Sequence, residues 1–168
     1  MASNGLYTLK YLLAYVSCCS TTRNVGQLRT GPASAERELM AFRILIADDN
    51  PHMRQVLRNV IEQNPDWEIC GEAVDGKDAI QKAQQLSPDL VVLDFLMPGV
   101  NGLDAAREIN RALPDLPILM CTMYLSRQLT EIVKSAGCRG AVAKGGVEQL
   151  AAGMQALLRR ETFFDSVP

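Results

Sequence analysis

The sequence predicts an α/β fold in which a five-stranded parallel sheet is covered by helices on both faces. Short apolar runs alternate with segments of helical periodicity from about residue 42 to residue 160. That order is typical of parallel sheets with right-handed crossovers. Residues 90–93 and 118–121 are wholly apolar, which is expected of central strands buried on both sides.

The elements form five strand–helix units. The strands are predicted at 44–47, 68–73, 90–93, 118–121 and 140–143. The helices that follow them are predicted at 51–63, 77–86, 103–113, 126–136 and 147–160. Each strand is a short apolar run, and each helix has apolar residues at three- and four-residue spacing.

The boundaries of these units follow from residues that favour or stop helices. Asn50 is a suitable cap for the first helix, with Pro51 in its first turn. The Ser-Pro-Asp sequence at 87–89 ends the second helix. Pro98 precedes the third helix, and Gly137 ends the fourth.

The chain divides near Met40 into an extension and a domain. Residues 1–39 have no sustained periodicity, so we expect a disordered extension, or a start codon assigned too early. The domain is predicted at 40–162, with a short tail at 163–168. The apolar stretch at 6–16 is too short to span a bilayer and lacks the basic front of a signal peptide, so no membrane association is expected.

Composition excludes several classes of function. A formal net charge of −2, without a basic stripe, gives no reason to expect nucleic-acid binding. The five cysteines form no CxxC and accompany a single histidine, which argues against a zinc site or a disulfide framework. A reducing, cytoplasmic setting is the simplest interpretation.

Polar residues follow the predicted strands at their carboxyl ends. Asp48 and Asp49 follow the first strand, Asp94 the third, Thr122 the fourth and Lys144 the fifth. Carboxyl ends of parallel strands meet at one edge, where ligands of open α/β sheets bind. Three carboxylates there repel one another unless a cation relieves them. The pattern predicts Mg²⁺ with an anionic phosphoryl partner, and an aspartate can itself form an acyl phosphate.

In these segments the chain resembles the receiver domain of bacterial two-component response regulators. The resemblance covers residues 42–160 and includes the sequences at 44–49 and 93–102, together with Thr122 and Lys144. Proline four residues after Asp94 and glycine eight residues after it also fit. The resemblance implies a flavodoxin-like, doubly wound fold.

The resemblance also implies the chemistry of the site. Asp94 would accept a phosphoryl group from a histidine kinase or phosphotransfer protein. Asp48, Asp49, Asp94 and the backbone carbonyl of Leu96 would hold Mg²⁺. Such a domain assists its own phosphoryl transfer and dephosphorylation without being a conventional enzyme.

Thr122 would sense the phosphoryl group, and Lys144 would contact one of its oxygens. Two departures from the family concern the output of the signal. Ala141 stands where many members have an aromatic residue that moves with the threonine, and Tyr124 is a candidate substitute. The glycines at 145–146 replace a frequent proline, which predicts a more mobile loop.

Only residues 161–168 follow the last predicted helix, so we expect no DNA-binding domain. We expect the output to be protein–protein contact. A homodimer is one option for the oligomeric state. The downstream protein is unknown. An alternative is a receiver-like binding module that does not respond to phosphorylation, which Ala141 favours. A third option, a magnesium-dependent phosphohydrolase, is opposed by Phe95 and Leu96, because neither can act as a general acid.

Overall fold

The computed structural model describes residues 41–165, which form a parallel sheet and five helices. The strands are β1 (Phe42–Ala47), β2 (Trp67–Ala73), β3 (Leu90–Asp94), β4 (Ile118–Thr122), β5 (Gly140–Ala143) and β6 (Phe163–Phe164). The helices are α1 (Pro51–Glu62), α2 (Gly76–Leu86), α3 (Gly102–Ala112), α4 (Arg127–Ser135) and α5 (Val147–Leu158). The strand order is β2-β1-β3-β4-β5-β6, and every pair is parallel.

The predicted α/β architecture is confirmed, with one addition. A sixth strand, β6, pairs with β5 in the register Gly140 to Phe163 and Ala141 to Phe164. It lies in the segment 163–168 that the sequence analysis assigned to a tail. The predicted extension at 1–39 lies outside the described residues. Between residues 41 and 165, no helix has both the length and the apolar character needed to cross a membrane.

Side-chain caps explain where most helices begin. Asn50 caps α1 by accepting a hydrogen bond from the backbone N–H of His52, and Asp75, Asn101 and Ser126 cap α2, α3 and α4 in the same way. Such a cap satisfies an N–H group that has no partner within the helix and contributes about 1 kcal/mol. The first turns, and the loops before them, are therefore fixed locally.

Two apolar clusters cover the two sides of the sheet. We call the side covered by α1 and α5 the aliphatic face; its buried members are Ile44, Ile46, Leu57, Val60, Ile61, Leu90, Val92, Leu119, Cys121, Val142, Leu150, Met154 and Leu157. We call the side covered by α2, α3 and α4 the alanine face; its buried members are Leu45, Ala47, Ala73, Ala79, Ala83, Val91, Leu93, Met97, Ala105, Ala106, Ile109, Leu116, Ile118, Met120, Val133, Ala136, Cys138 and Ala141.

The order of the strands creates a crevice at the carboxyl edge. The chain runs from β1 outward to β2 and then returns to β3 on the other side of β1. The loops that follow β1 and β3 therefore leave the sheet toward opposite faces, and a crevice opens between them. Asp48 follows β1 and Asp94 ends β3, so both carboxylates are delivered to this crevice.

Candidate functional site

A buried ion-pair network lies in the crevice. The ammonium of Lys144 is 2.7 Å from Asp48 Oδ2 and 2.9 Å from Asp94 Oδ2. All three side chains are at most 7% exposed. Charged groups are rarely buried to this extent unless they are paired. The structure thus brings together the charged ends of three strands that the sequence separates by 96 residues (from 48 to 144).

The ionisation of the network is shaped by burial and by the neighbouring charges. Burial raises the pKa of Asp94, and the Asp48 carboxylate raises it further, whereas the hydrogen bond from Lys144 opposes both effects. Burial alone would lower the pKa of Lys144, but its hydrogen bonds to Asp48 and Asp94 outweigh burial and raise it. The lysine therefore stays a cation, while Asp94 carries its negative charge at a cost.

Asp49 completes an acidic cluster with the two buried carboxylates. One oxygen each from Asp48, Asp49 and Asp94 lies within 4.8 Å of the others, and Asp49 is exposed to solvent. Apart from the Lys144 ion pair, Asp48 Oδ2 is buried without a hydrogen-bond partner. Hard oxygen donors with one side open to water suit Mg²⁺, which keeps several waters. The residues present therefore fit the predicted metal.

The Asp48–Asn50 turn is held by several hydrogen bonds. Asp48 N–H donates to the Ala73 carbonyl on β2 at 3.2 Å, and Asn50 N–H donates to Asp48 Oδ1 at 2.9 Å. Asp48 Oδ1 is thus occupied within the turn, and Oδ2 is left to face the crevice. This division fixes which oxygen meets Lys144.

Asp94 is held by its own backbone and by a close helix. Leu96 N–H donates to Asp94 Oδ1 at 3.2 Å, and Phe95 N–H donates to the Cys121 carbonyl at 2.9 Å. A Cβ at Gly102 would overlap the Asp94 carbonyl oxygen. Glycine at this position fits the family pattern, and its physical role is to let the first turn of α3 contact the Asp94 backbone.

Thr122 lies at the end of β4, buried and tied to the lysine loop. Its carbonyl accepts a hydrogen bond of 2.8 Å from Lys144 N–H. Its hydroxyl is 3.4 Å from both the backbone N and O of Tyr124, at the long limit of hydrogen bonding. The Tyr124 side chain is 85% exposed, and Ala141 is fully buried. The structure therefore places no Tyr124 ring in the space beside Ala141.

The Leu96 carbonyl belongs to the predicted metal-binding set, and Arg54 does not. No contact places the Leu96 carbonyl at the cluster, so its role as a ligand stays a prediction, and the exposed Leu96 side chain points to solvent. The guanidinium of Arg54 donates to the Asp48 carbonyl at 2.8 Å. The sequence analysis missed Arg54, because an arginine in the second turn of a helix has no distinctive pattern.

The chain is similar to known proteins in both sequence and fold. Residues 44–155 match the family described as the response regulator receiver domain. The chain is 47% identical over 94 residues to a protein-glutamate methylesterase/protein-glutamine glutaminase of Pyrococcus abyssi, a match that spans 56% of this chain and 25% of that protein. It therefore spans only a quarter of the length of that relative.

Two further similar proteins match over most of their own length. Chemotaxis protein CheY of Thermotoga maritima is 37% identical over 106 residues, which cover 62% of this chain and 87% of CheY. The crystal structure of a two-component response regulator of the LuxR family from Aurantimonas sp. SI85-9A1 superimposes with a TM-score of 0.71 at 30% identity. That match covers 73% of this chain and 89% of the other.

Proposed function

The chain belongs to the response regulator receiver domain family, and we propose that it accepts a phosphoryl group on Asp94 in a phosphorelay. Receiver domains interact with histidine kinases or phosphotransfer proteins, which would supply that group. The observation that carries the proposal is the buried ammonium of Lys144 between Asp48 and Asp94, beside a cluster of three carboxylates. The comparisons give no support to a phosphorylation-insensitive binding module.

The proposed reaction is a nucleophilic displacement at phosphorus. A carboxylate oxygen of Asp94 attacks the phosphorus of a phosphohistidine, and a new P–O bond forms while the P–N bond breaks. The electron pair of the broken bond stays on the imidazole nitrogen of the donor. The product is an acyl phosphate on Asp94, and the reaction depends mostly on positioning and charge stabilisation.

The aspartates supply the metal site in this proposal. Asp48, Asp49 and Asp94 would hold Mg²⁺, with the Leu96 carbonyl as a further predicted donor. When bound, the ion would neutralise the carboxylates and the phosphoryl oxygens. Burial raises the pKa of Asp94 although Lys144 donates a hydrogen bond to it, so a bound cation would stabilise its carboxylate.

Lys144 and Thr122 act on the phosphoryl group in distinct ways. The Lys144 ammonium already contacts Asp94 Oδ2, so it lies where negative charge accumulates during transfer. Thr122 has a buried hydroxyl with only long hydrogen bonds, and a phosphoryl oxygen would offer it a better acceptor. We propose that the threonine shifts toward that oxygen and draws the β4–α4 loop with it.

The output is proposed to be contact with another protein. Receiver domains are in general not catalytic, and the methylesterase relative acts through a separate domain. An unknown downstream protein would recognise the loops and helices next to Thr122. A second copy of this chain, in a homodimer, is another option for the partner. A cytoplasmic location belongs to this proposal, and the free thiols of Cys70, Cys121 and Cys138 agree with a reducing compartment.

Intact mass spectrometry after incubation with acetyl phosphate tests the proposal. We expect one phosphoryl increment that requires Mg²⁺ and is lost in Asp94→Ala. Asp115→Ala is the matched control, because Asp115 is an exposed aspartate in the α3–β4 loop and should leave the increment intact.

Two results would contradict the proposal. An increment that persists in Asp94→Ala would place the acceptor elsewhere. No increment with acetyl phosphate, and none with a panel of histidine kinases, would exclude phosphoryl transfer as the function of the site.

A further inference from the structure

We infer that Arg54 is a positioning residue for the metal site, because its guanidinium fixes the backbone of the turn that carries Asp48 and Asp49. This inference rests on the proposed function only in taking Mg²⁺ as the ion. Arg54 lies on α1 and contacts the backbone carbonyls of Asp48 and Asp49 rather than their carboxylates. It acts through the two aspartates rather than on the phosphoryl group.

The guanidinium of Arg54 reaches the backbone of both aspartates. Its Nη1 donates to the Asp48 carbonyl at 2.8 Å and lies 3.4 Å from the Asp49 carbonyl. The first contact is a strong charge-assisted hydrogen bond, and the second is at the long limit. One side chain therefore spans two successive peptide groups of the turn.

Arg54 is itself anchored on β2. Its Nε donates to Glu72 Oε2 at 3.1 Å, and the Arg54 side chain is only 17% exposed. Arg58 pairs with the other oxygen of Glu72. Glu72 lies opposite Ile46 of β1, just before the turn. The guanidinium is thus held between the turn and the strand that neighbours β1.

Charge does not explain the placement of Arg54. A cation near three metal-binding carboxylates would weaken metal binding if it were free, but Glu72 pairs with this one. Capping of α1 does not explain it either, since the Asn50 side chain supplies the cap. What remains is geometry: the two carbonyls fix the peptide planes and hence the directions in which the Asp48 and Asp49 side chains leave the backbone.

Such fixation matters for a magnesium site. Mg²⁺ demands near-ideal octahedral geometry, so a small rotation of the turn misplaces two of the three carboxylates together. Residues that orient metal ligands through hydrogen bonds typically contribute about 10- to 100-fold in metal affinity. Arg54 occupies this orienting position for the pair.

Calorimetric titration of the full chain with MgCl₂ tests the inference directly. We expect Arg54→Gln to weaken Mg²⁺ binding about tenfold or more, and Arg54→Lys to recover part of the loss, because an ammonium can donate to one carbonyl. Arg58→Gln is the matched control. It removes the other guanidinium on Glu72 but leaves both carbonyl contacts, so its affinity should stay within about twofold of wild type.

The Mg²⁺ dependence of acetyl phosphate labelling gives a second measurement. In Arg54→Gln the half-saturating Mg²⁺ concentration should rise by the same factor, while the rate at saturating Mg²⁺ stays close to that of wild type. A wild-type chain that binds Mg²⁺ but is never phosphorylated would refute the proposed function, and the calorimetry would still decide the role of Arg54.

Three outcomes would overturn the inference. Arg54→Gln could bind Mg²⁺ as tightly as wild type or more tightly, Arg58→Gln could weaken binding equally, or the wild-type chain could bind no Mg²⁺. If circular dichroism shows that Arg54→Gln does not fold, Arg54→Lys decides, because it keeps the charge but cannot span both carbonyls. Wild-type affinity in that variant would overturn the inference.

Discussion

The two faces of the sheet are covered by side chains of different size. Among its buried members within residues 41–165, the aliphatic face has leucine, isoleucine, valine, methionine and one cysteine, but no alanine. On the alanine face, 8 of the 18 buried members are alanine. Large side chains bury more apolar area per residue, whereas small ones let backbones approach closely. A Cβ at Gly76 of α2, for example, would overlap the carbonyl of Val100, just before α3.

The residues of the site are connected to helices on both faces. The loops with Asp48 and Lys144 lead into α1 and α5 on the aliphatic face, whereas those with Asp94 and Thr122 lead into α3 and α4 on the alanine face. Asp48 and Lys144 are thus connected to the face with the larger buried side chains. Asp94 and Thr122, the predicted acceptor and sensor, are connected to helices that pack through smaller side chains.

Truncation of a large side chain on the aliphatic face should have the largest effect. Ile61→Ala removes a fully buried side chain, and we expect the free energy of unfolding to fall by about 2–5 kcal/mol. Ile80→Ala, at a half-buried position on α2, should lose less than half as much. Urea denaturation measures both, and equal losses would show that the faces contribute alike.

Enlargement of a small side chain should destabilise the alanine face more than the aliphatic face. Ala83 is fully buried on α2, and Ala83→Leu should lower the free energy of unfolding by about 1–3 kcal/mol, because close-packed helices must separate. Ala151→Leu on α5 is the control, since Ala151 is only partly buried at the aliphatic face. The same urea assay applies. A larger loss at residue 151 would contradict tight packing on the alanine face.

Neutralising Asp94 should stabilise the protein in the absence of Mg²⁺. Burial raises the pKa of Asp94 even though Lys144 attracts it, so its carboxylate destabilises the folded state above that pKa. We expect Asp94→Asn to raise the free energy of unfolding at neutral pH. A lower stability would show that the site contributes to the fold.

The pH dependence of that difference has a defined sign. The folded state binds the Asp94 proton more tightly than the unfolded state, so the destabilisation in wild type is present above the raised pKa and disappears as pH falls through it. The gap between Asp94→Asn and wild type should therefore close toward acidic pH. Asp115→Asn, at an exposed position, is the control variant.

The smallest expected effect is a difference in thiol reactivity between the faces. Burial raises the pKa of Cys138, on the alanine face, to about 12 and also raises that of Cys121, on the aliphatic face. Both should react slowly, through local opening. We expect maleimide to modify Cys138 several-fold faster than Cys121, as measured by peptide mass spectrometry. Faster reaction of Cys121 would mean that the aliphatic face opens first.

The sequence predicted those strands and helices in which apolar residues recur in a regular pattern. The five strand–helix units are in the structure, with boundaries shifted by one or two residues. Strand β6 was missed, because two consecutive phenylalanines have no periodicity. Its position depends on a left-handed turn at Arg160, with a φ of 67°, and on pairing with β5. Neither can be read from neighbouring residues.

The site also has a part that the sequence predicted and a part that it did not. Asp48, Asp49, Asp94 and Lys144 lie together as predicted from the ends of their strands, since topology alone determines that edge. The role of each remains a prediction. Arg54 was not found, because its position depends on the path of one long side chain toward the carbonyls of another segment.

Strand β6 covers the outer edge of β5. Phe163 N–H donates to the Arg139 carbonyl at 3.0 Å, and Asp165 N–H donates to the Ala141 carbonyl at 2.9 Å. These carbonyls would otherwise face solvent as a template for strand addition. A chain shortened before Phe163 would present that edge, with its apolar Gly-Ala-Val-Ala sequence, to other molecules. The two-residue strand β6 thus covers the edge of β5 and itself becomes the edge of the sheet.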